Sequence, residues 1–385
     1  MENDSAVKVL LVAEGSGGHL IPALEVASAL AKRGAHIKVW YPERKHTAKL
    51  INALAQGVQG QRVEVDPIPM TASSNPFGRL WQCGQLWHRA QRCFDTFAPD
   101  VVVGFGGWVS APVVFAARRR HIGCLLHEQN VVLGKANRLL APWVDRVAVS
   151  FRETQAALQR DATIMTGMPV REAIGHASRM EEAKRFGLNP DRPTVLILGG
   201  SQGALAINRL MSQLVGHLSQ DERRAWQMIH VTGVADEAMV RAAYAAHQMT
   251  AWVSPFLIEM EAAYALADVV IARAGASTIA ELARCGTPAI LIPFPHAGGH
   301  QRANAQVVEA IGGGLMIEER DATPERILSA ARHMLTDERL RTMMGRQMQS
   351  LHCADAAQRL SRIILELAGA PVTEALAWES IQLTA

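Results

Sequence analysis

Short apolar runs alternate with longer segments of helical pattern along almost the whole chain. The runs are continuously apolar, which is typical of strands buried on both faces of a parallel sheet. Helical segments, for example residues 21–33 and 110–120, separate them. The predicted strands form a first series at residues 7–13, 36–42, 100–105, 124–128 and 146–150, and a second series at 193–201, 228–233, 251–256, 268–274 and 288–295.

Two consecutive series of this kind predict an α/β protein with two Rossmann-like, doubly wound parallel-sheet domains facing across a cleft. At 385 residues the chain also exceeds the usual size of one hydrophobic core. Gly167 and Pro169 interrupt the pattern, so we place the linker near residues 160–170. The expected domains are residues 1–165 and 166–368, with a last helix that can pack back on the first domain and a tail over 369–385.

Composition and charge indicate a globular protein with an anionic partner. Apolar residues make up 49% of the chain and charged residues 19%, as expected for a well-packed globular protein. Residues 1–165 hold 19 Lys and Arg against 13 Asp and Glu, whereas the remainder holds 20 against 23. The basic first half suits an anionic partner or a membrane surface, and nothing points to nucleic acid.

The cysteines and the N-terminus indicate a cytoplasmic protein. The 5 cysteines are scattered, without the spacing of a metal site, so reduced thiols are expected. The apolar run near the N-terminus is too short for a signal peptide, and no stretch approaches the ~20 apolar residues of a membrane-spanning helix.

Glycine-rich turns follow several of the predicted strands. Such turns let the backbone approach a ligand closely, and the next helix presents unpaired N–H groups that suit phosphate. No P-loop motif occurs, and the first turn lacks the acidic partner of a dinucleotide site near Trp40 and Tyr41. A different nucleotide is therefore expected at these turns, which occupy residues 12–22, 103–112, 198–204 and, more weakly, 272–281.

The motifs stand in the order and spacing of one enzyme family. They read GSGGH (15–19), GFGGWVSAP (104–112), HEQN (127–130), PVR (169–171), GGSQGA (199–204), RAGASTIAE (273–281) and PFPHAGGHQRANA (293–305). Over about residues 7–368 the chain resembles the bacterial cell-wall N-acetylglucosaminyltransferases that convert lipid I to lipid II, which have the GT-B fold. The resemblance implies UDP-N-acetylglucosamine (UDP-GlcNAc) as donor, lipid I as acceptor, a place in peptidoglycan synthesis and no cofactor.

The resemblance also implies which residues bind the donor, mainly on the second domain. Ala276, Ser277 and Thr278 match the segment that holds the diphosphate, and Ser201 is a further phosphate contact. Glu281 matches the acid on the ribose hydroxyls, and the backbone of Leu257 matches the group that recognises uracil. Asn130 and Gln301 correspond to polar groups around the sugar, and Arg171 to an arginine near the donor.

The first domain is expected to take the acceptor and to supply the base. The acceptor diphosphate is expected at Ser16, Gly17, Gly18, Gly106, Gly107 and Trp108. An α-linked donor gives a β(1→4) product, so the reaction inverts and needs one general base. His19 and Glu128 are the candidates, and each has a purely structural alternative. No DxD triplet is present, so no metal is expected.

Four positions depart from the family pattern and leave fine contacts open. Glu14 introduces a negative charge beside the presumed anion site, and Trp108 replaces a tyrosine. Met168 stands where asparagine is common, and Ser277 where leucine is common.

Residues 77–94 place Leu80, Trp81, Cys83, Trp87 and Phe94 among arginines, and Trp143 with Arg138 extends this kind of surface. Exposed tryptophan beside arginine suits a headgroup interface, so we expect peripheral association with the cytoplasmic face of the cell membrane. An ordinary amphipathic helix is the alternative.

Two other functions also stay open: a sugar-nucleotide epimerase of the same fold, and a non-catalytic nucleotide-sugar-binding subunit.

Overall fold

The computed structural model describes residues 6–43, 60, 62–69, 76–200 and 203–370, with the backbone alone at residues 76, 77 and 79. Ser201 and most of the predicted tail lie outside this part of the chain. Two parallel sheets form the framework, one in each half.

The first sheet has seven strands in the order β3-β2-β1-β4-β5-β6-β7. The five predicted strands are confirmed, and two edge strands join them. β3 carries acidic residues and a proline, and β7 has three residues inside the predicted linker, so neither shows a buried-strand pattern. The strands are β1 Lys8–Val12, β2 His36–Pro42, β3 Val63–Ile68, β4 Val101–Gly104, β5 Gly123–Glu128, β6 Arg146–Val149 and β7 Thr163–Met165.

The second sheet has six strands in the order β10-β9-β8-β11-β12-β13. The predicted second series is again confirmed, with the short edge strand β13 added. The strands are β8 Thr194–Leu198, β9 Gln227–Val231, β10 Ala251–Ser254, β11 Val269–Ala272, β12 Ala289–Leu291 and β13 Gly314–Met316.

Helices cover both faces of each sheet, which is why the central strands are mostly continuous apolar runs. The helices of the first half are α1 Gly17–Ala31, α2 Pro76–Thr96, α3 Ser110–Arg119, α4 Lys135–Leu140 and α5 Arg152–Leu158. Those that follow are α6 Arg179–Phe186, α7 Leu205–Leu214, α8 Gln220–Ala225, α9 Glu237–Ala246, α10 Met260–Leu266, α11 Ala276–Cys285, α12 His300–Ala310, α13 Pro324–Thr336, α14 Glu338–Gln349 and α15 Ala356–Leu367. Short 3₁₀ turns occur at Ala141–Trp143, Val215–His217 and Glu319–Asp321.

The last helix, α15, returns to the first half. Leu360, Ile363 and Ile364 are buried in the core that α1 forms against the first sheet. The chain therefore crosses between the halves twice, after β7 and before α15. The domain boundary at residue 165 stays a prediction.

The strand order reverses beside β1 in the first sheet and beside β8 in the second. Ligands of doubly wound sheets bind outside the carboxyl ends of the strands at such points. The four predicted glycine turns follow β1, β4, β8 and β11, so all four stand at these reversals.

Candidate functional site

A cleft of about 440 Å³ lies between the two halves, a volume typical of small-molecule sites. Its walls combine the turns after β1 and β5 with the turns after β8, β10 and β11 and with α12. The sequence-predicted residues that line it are Ser16, Gly17, Gly18, His19, Asn130, Arg171, Leu257, Ala276, Ser277, Thr278, Glu281 and Gln301.

Two helices of opposite halves begin at this cleft and face one another. A Cβ placed on Gly18, at the start of α1, would lie 3.6 Å from the Oγ atom of Ser277, at the start of α11. Neither helix has an acidic residue in its first turn or a side chain that caps it. The unpaired N–H groups and positive ends of both helices are thus left for an anion.

Ser277 carries a hydroxyl that suits such a ligand. Its Oγ is buried and has no hydrogen-bond partner. The N-cap position of α11 belongs to Gly275, so neither Ser277 nor Thr278 is a helix cap. A buried hydroxyl left unpaired in a helix first turn indicates a contact that a bound group completes.

Arg171 lies in the cleft just after the crossing between the halves. Its Nη1 donates to the carbonyl oxygen of Ile258 at 2.9 Å and lies 3.5 Å from Glu261 Oε2. Its Nε is buried without a hydrogen-bond partner. The guanidinium is therefore fixed in direction while one donor remains unpaired.

Glu281 is held by a tyrosine that sequence reasoning did not identify. Tyr264 donates its hydroxyl to Glu281 Oε2 at 2.8 Å, and both side chains are buried in the cleft wall. Burial raises the pKa of Glu281, against the lowering effect of Arg171. One oxygen of the carboxyl group remains as an acceptor for a ligand.

Leu257 and Gln301 face the cleft from neighbouring turns. The side chain of Leu257 is packed in the core, and no described residue engages its backbone N–H or carbonyl. Gln301 Oε1 accepts from the backbone N–H of Phe294 at 2.9 Å, which leaves the amide nitrogen as a donor.

Glu128 does not line the cleft. It is 1% exposed, and its two oxygens accept from Asn130 N (3.0 Å), Asn130 Nδ2 (3.3 Å), Gly134 N (2.9 Å) and Asn137 Nδ2 (2.8 Å). A carboxylate whose two oxygens are engaged in this way organises the loop, and Glu128 is not among the residues that reach the cleft wall. This placement favours His19 as the base.

Asn304, which sequence reasoning missed, joins the Asn130 loop to the second half. Its Oδ1 accepts from Val131 N at 3.0 Å, and its Nδ2 donates to Asn130 Oδ1 and to the carbonyl of Ala274, both at 3.1 Å. His300 Nδ1 donates to the carbonyl of Val132 at 3.0 Å. Asn304 lies one helical turn after Gln301 on α12, and that spacing was the available signal.

The first glycine turn positions His19. Ser16 Oγ and His19 Nδ1 are 2.8 Å apart, so the hydroxyl at the start of α1 pairs with the imidazole instead of capping the helix. The second turn has positive φ at Gly106 (85°) and Gly107 (80°), a conformation that favours glycine. The departing residue Glu14 packs its carboxylate against Gly107 and leaves no room for a Cβ there.

The remaining predicted acceptor residues lie outside the cleft. Gly106 packs against His19, and Gly107 packs against Glu14. Trp108 is 58% exposed on the surface of the first half. The departing residue Met168 is buried and accepts a weak hydrogen bond from the Ser150 hydroxyl at 3.7 Å.

Two further properties concern the described residues as a whole. None of their helices is both long and apolar enough to cross a membrane. Within the same ranges, no three His, Cys, Asp or Glu side chains are grouped so that they could hold a metal ion.

Comparison with known proteins gives matches over nearly the whole chain. Residues 9–149 match the glycosyltransferase family 28 N-terminal domain, and residues 194–360 match the glycosyltransferase family 28 C-terminal domain. A relative in Syntrophotalea carbinolica is 36% identical over 94% of this chain and 99% of its own. Its name is UDP-N-acetylglucosamine--N-acetylmuramyl-(pentapeptide) pyrophosphoryl-undecaprenol N-acetylglucosamine transferase, as is that of a relative in Halothermothrix orenii, 35% identical over 88% and 93% of the two chains.

Solved structures are also similar to this chain over nearly its whole length. MurG of Acinetobacter baumannii superposes with a TM-score of 0.72 and 28% identity, covering 94% of this chain and 99% of that one. A UDP-GlcNAc 2-epimerase from Neisseria meningitidis, bound to UDP-GlcNAc, shares the fold with a TM-score of 0.67 at 11% identity. It covers 94% of this chain and 100% of its own.

Proposed function

The chain belongs to glycosyltransferase family 28, and on that premise we propose that it transfers N-acetylglucosamine from UDP-GlcNAc to the C4 hydroxyl of the muramic acid of lipid I, forming lipid II. Relatives named for this transfer match 36% and 35% of aligned residues over nearly full length. The observation that carries the proposal is the cleft, where the first turns of α1 and α11 face each other from opposite halves.

The second half supplies the donor side. A diphosphate placed against the start of α11 meets backbone N–H groups and the unpaired Ser277 hydroxyl, with Arg171 Nε as a further donor. Glu281 is the acceptor for ribose hydroxyls, and the unengaged backbone of Leu257 is the candidate for uracil. Gln301 and Asn130 stand where sugar hydroxyls would lie, although Asn130 already pairs with Asn304.

The first half supplies the acceptor side and the base. The acceptor hydroxyl attacks C1 of the donor sugar in one in-line displacement, and UDP leaves on the opposite side, so the configuration inverts. His19, paired with Ser16, takes the proton of the attacking hydroxyl. The positive ends of the facing helices stabilise charge that develops on the leaving diphosphate.

Peripheral association with the membrane is supported by one layer of the first half. Helices α2, α3 and α4 cover one face of the first sheet. Leu80 (72%), Trp81 (70%), Trp108 (58%), Leu139 (51%) and Trp143 (53%) are exposed on this layer and on the turns next to it. Trp87 and Phe94 instead pack on the core, so only part of the predicted 77–94 surface is available to lipid.

Radiolabel transfer tests the proposed function. The purified protein is incubated with labelled UDP-GlcNAc and a short-chain lipid I analogue, and we expect label in the lipid product together with stoichiometric UDP. The epimerase alternative predicts slow conversion of UDP-GlcNAc to an epimer without acceptor. The binding-subunit alternative predicts UDP-GlcNAc binding without turnover, and either result would overturn the proposal.

A further inference from the structure

His127, next to Glu128 at the end of β5, has a fixed tautomer. It is fully buried, and burial lowers its pKa to about 4, so the ring is neutral at physiological pH. Its Nε2 lies 3.2 Å from the carbonyl oxygen of Gly167, at the crossing between the halves. A carbonyl oxygen can only accept, so Nε2 carries the proton and Nδ1 is an acceptor.

This tautomer fixes the side-chain amide of Gln129. The Nε2 of Gln129 is 3.1 Å from His127 Nδ1 and 3.1 Å from the carbonyl oxygen of Phe105. Both neighbours are acceptors, so the NH₂ group must face them. Gln129 Oε1 then points the other way, where it is buried without a hydrogen-bond partner, on a residue of the cleft wall that is 2% exposed.

The unpaired oxygen and His19 approach the same position, the side-chain site of Gly106. A Cβ built on Gly106 would lie 3.2 Å from His19 Nε2 and 3.6 Å from Gln129 Oε1, so both atoms border the place that a side chain at position 106 would fill. The other ring nitrogen of His19, Nδ1, faces the Ser16 hydroxyl. The Nδ1 edge of the imidazole therefore faces Ser16, and the Nε2 edge faces the side-chain site of Gly106.

We propose that Gln129 is a positioning residue for His19: its Oε1 accepts the Nε2–H of the imidazole, which keeps Nδ1 as the basic nitrogen and stabilises the ring when Nδ1 takes up a proton. The inference rests on the proposed transfer. With Nε2 protonated, Nδ1 is the basic nitrogen, and Ser16 links it to the substrate. The acceptor hydroxyl gives its proton to Ser16 Oγ while the Ser16 proton moves to His19 Nδ1. The acceptor oxygen bonds to C1, the C1–O bond to the diphosphate breaks, and UDP takes the electron pair.

The effect of a change at Gln129 is judged against the titratable groups that face His19. Within the described residues, His127 faces it from β5 as a neutral ring, and Glu14 stands in its own turn, packed on Gly107. From the opposite half, Arg171, Glu281 and His300 line the same cleft. None of these groups changes in the variants used below.

The test is the pH profile of kcat in two variants at Gln129. Gln129→Glu places a negative charge next to the imidazole, so we expect the acid limb to move up by about one pH unit. Gln129→Met, of similar volume, removes the acceptor, so the acid limb should move down by a few tenths of a unit or more. Opposite shifts separate positioning from a general packing defect.

Asn137→Leu is the matched control. Asn137 also bonds this loop through its amide nitrogen and has a buried, unpartnered Oδ1, but it does not line the cleft. It should lower kcat without moving the acid limb. Calorimetric binding of UDP reports an intact cleft in each variant, and Gln129→Met keeps the test valid if Gln129→Glu does not fold.

Equal acid limbs in wild type and Gln129→Met, or the same shift in Asn137→Leu, would overturn the inference while the proposed transfer stands. Absence of transfer by the wild-type protein is a different result, because it removes the proposed function and this inference together.

Discussion

At the scale of single residues, Ser277 separates ligand binding from stability. Its hydroxyl is buried and unpaired, so Ser277→Ala removes no interaction from the unliganded protein. We expect an unchanged or slightly higher melting temperature together with a Kd for UDP raised about 5- to 10-fold, equivalent to about 1–1.4 kcal/mol. Calorimetric titration with UDP and a thermal melt measure the two effects.

Ser361→Ala is the control for that pair of measurements. Ser361 is buried in α15, where its hydroxyl donates to the carbonyl of Ala357 at 2.7 Å, and it does not line the cleft. It should lower the melting temperature and leave UDP binding unchanged. If Ser277→Ala behaves in the same way, the hydroxyl has no role in phosphate binding.

Glu25, on α1, gives a prediction about pH. Burial raises its pKa from 4.5 to about 7, although Arg171 counteracts the shift. The folded state therefore holds a proton that the unfolded state loses, so the cost to stability is absent below about pH 4.5, grows between pH 4.5 and 7, and is complete above. Glu25→Gln should stabilise the protein by up to about 3 kcal/mol above pH 7 and by nothing near pH 4.5.

Denaturant unfolding at several pH values measures this dependence. Glu222→Gln should instead lower the free energy of unfolding at neutral pH. Arg332 lowers the pKa of Glu222 to about 2, so the charge of Glu222 is stabilising there. A Glu25→Gln gain that is equal at all pH values would show that packing, not ionisation, is responsible.

At the scale of elements, the crossing between the halves depends on Gly167. It has a φ of 82°, and Cys353 packs so closely that a Cβ cannot be accommodated. The two chain crossings, after β7 and before α15, therefore contact each other here. Cys353 Sγ also donates to the carbonyl of Thr166 at 3.1 Å, which stabilises this contact. Gly167→Ala should destabilise the protein by about 2–4 kcal/mol, since it combines overpacking with backbone strain.

The double variant Gly167→Ala with Cys353→Gly tests this account. Removing the cysteine side chain relieves the steric conflict but not the strain at positive φ, so we expect partial recovery in denaturant unfolding. Full recovery would mean that φ contributes nothing, and no recovery would mean that the contact with Cys353 is not the cause.

The same elements show what could be predicted from the sequence. Central strands such as β1 and β8 were predictable, because burial on both faces demands a continuous apolar run. The edge strands β3 and β7 were not, since one is half-exposed and the other has only three residues. The motifs located the cleft, but the pairing of Glu128 with Asn137 and of Asn304 with Val131 depends on tertiary contacts that no local pattern encodes.

At the scale of the whole molecule, the two halves are joined by contacts that also form the site. Asn304 and His300 hold the Asn130 loop from the opposite half, and α15 returns to pack on α1, the helix that begins at Ser16 and His19. A change in the relative position of the halves must therefore alter the loop and the base together. This coupling suits a reaction in which donor and acceptor bind on different halves.

The orientation of the molecule on a membrane provides the last prediction. Among the described residues of the first half, the large exposed apolar side chains lie on the α2–α4 layer and the turns next to it, and residues 1–165 carry the excess of basic side chains. An acceptor bound to polyprenyl diphosphate stays in the bilayer, so this layer is the surface expected to meet it. Leu80→Ser with Trp81→Ser should weaken binding to phosphatidylglycerol-containing vesicles at least about fivefold, because both side chains are largely exposed and contribute apolar area to the interface.

Co-sedimentation with vesicles, measured beside calorimetric binding of UDP, distinguishes this surface from the cleft. UDP binding and the melting temperature should be unchanged, since neither side chain belongs to the core. Met343→Ser is the matched control, because Met343 is 55% exposed on α14 in the second half. If Met343→Ser weakens vesicle binding as much as the double variant does, the protein does not dock through the first half. The basic excess of residues 1–165 would then need another explanation, such as attraction of the anionic acceptor itself.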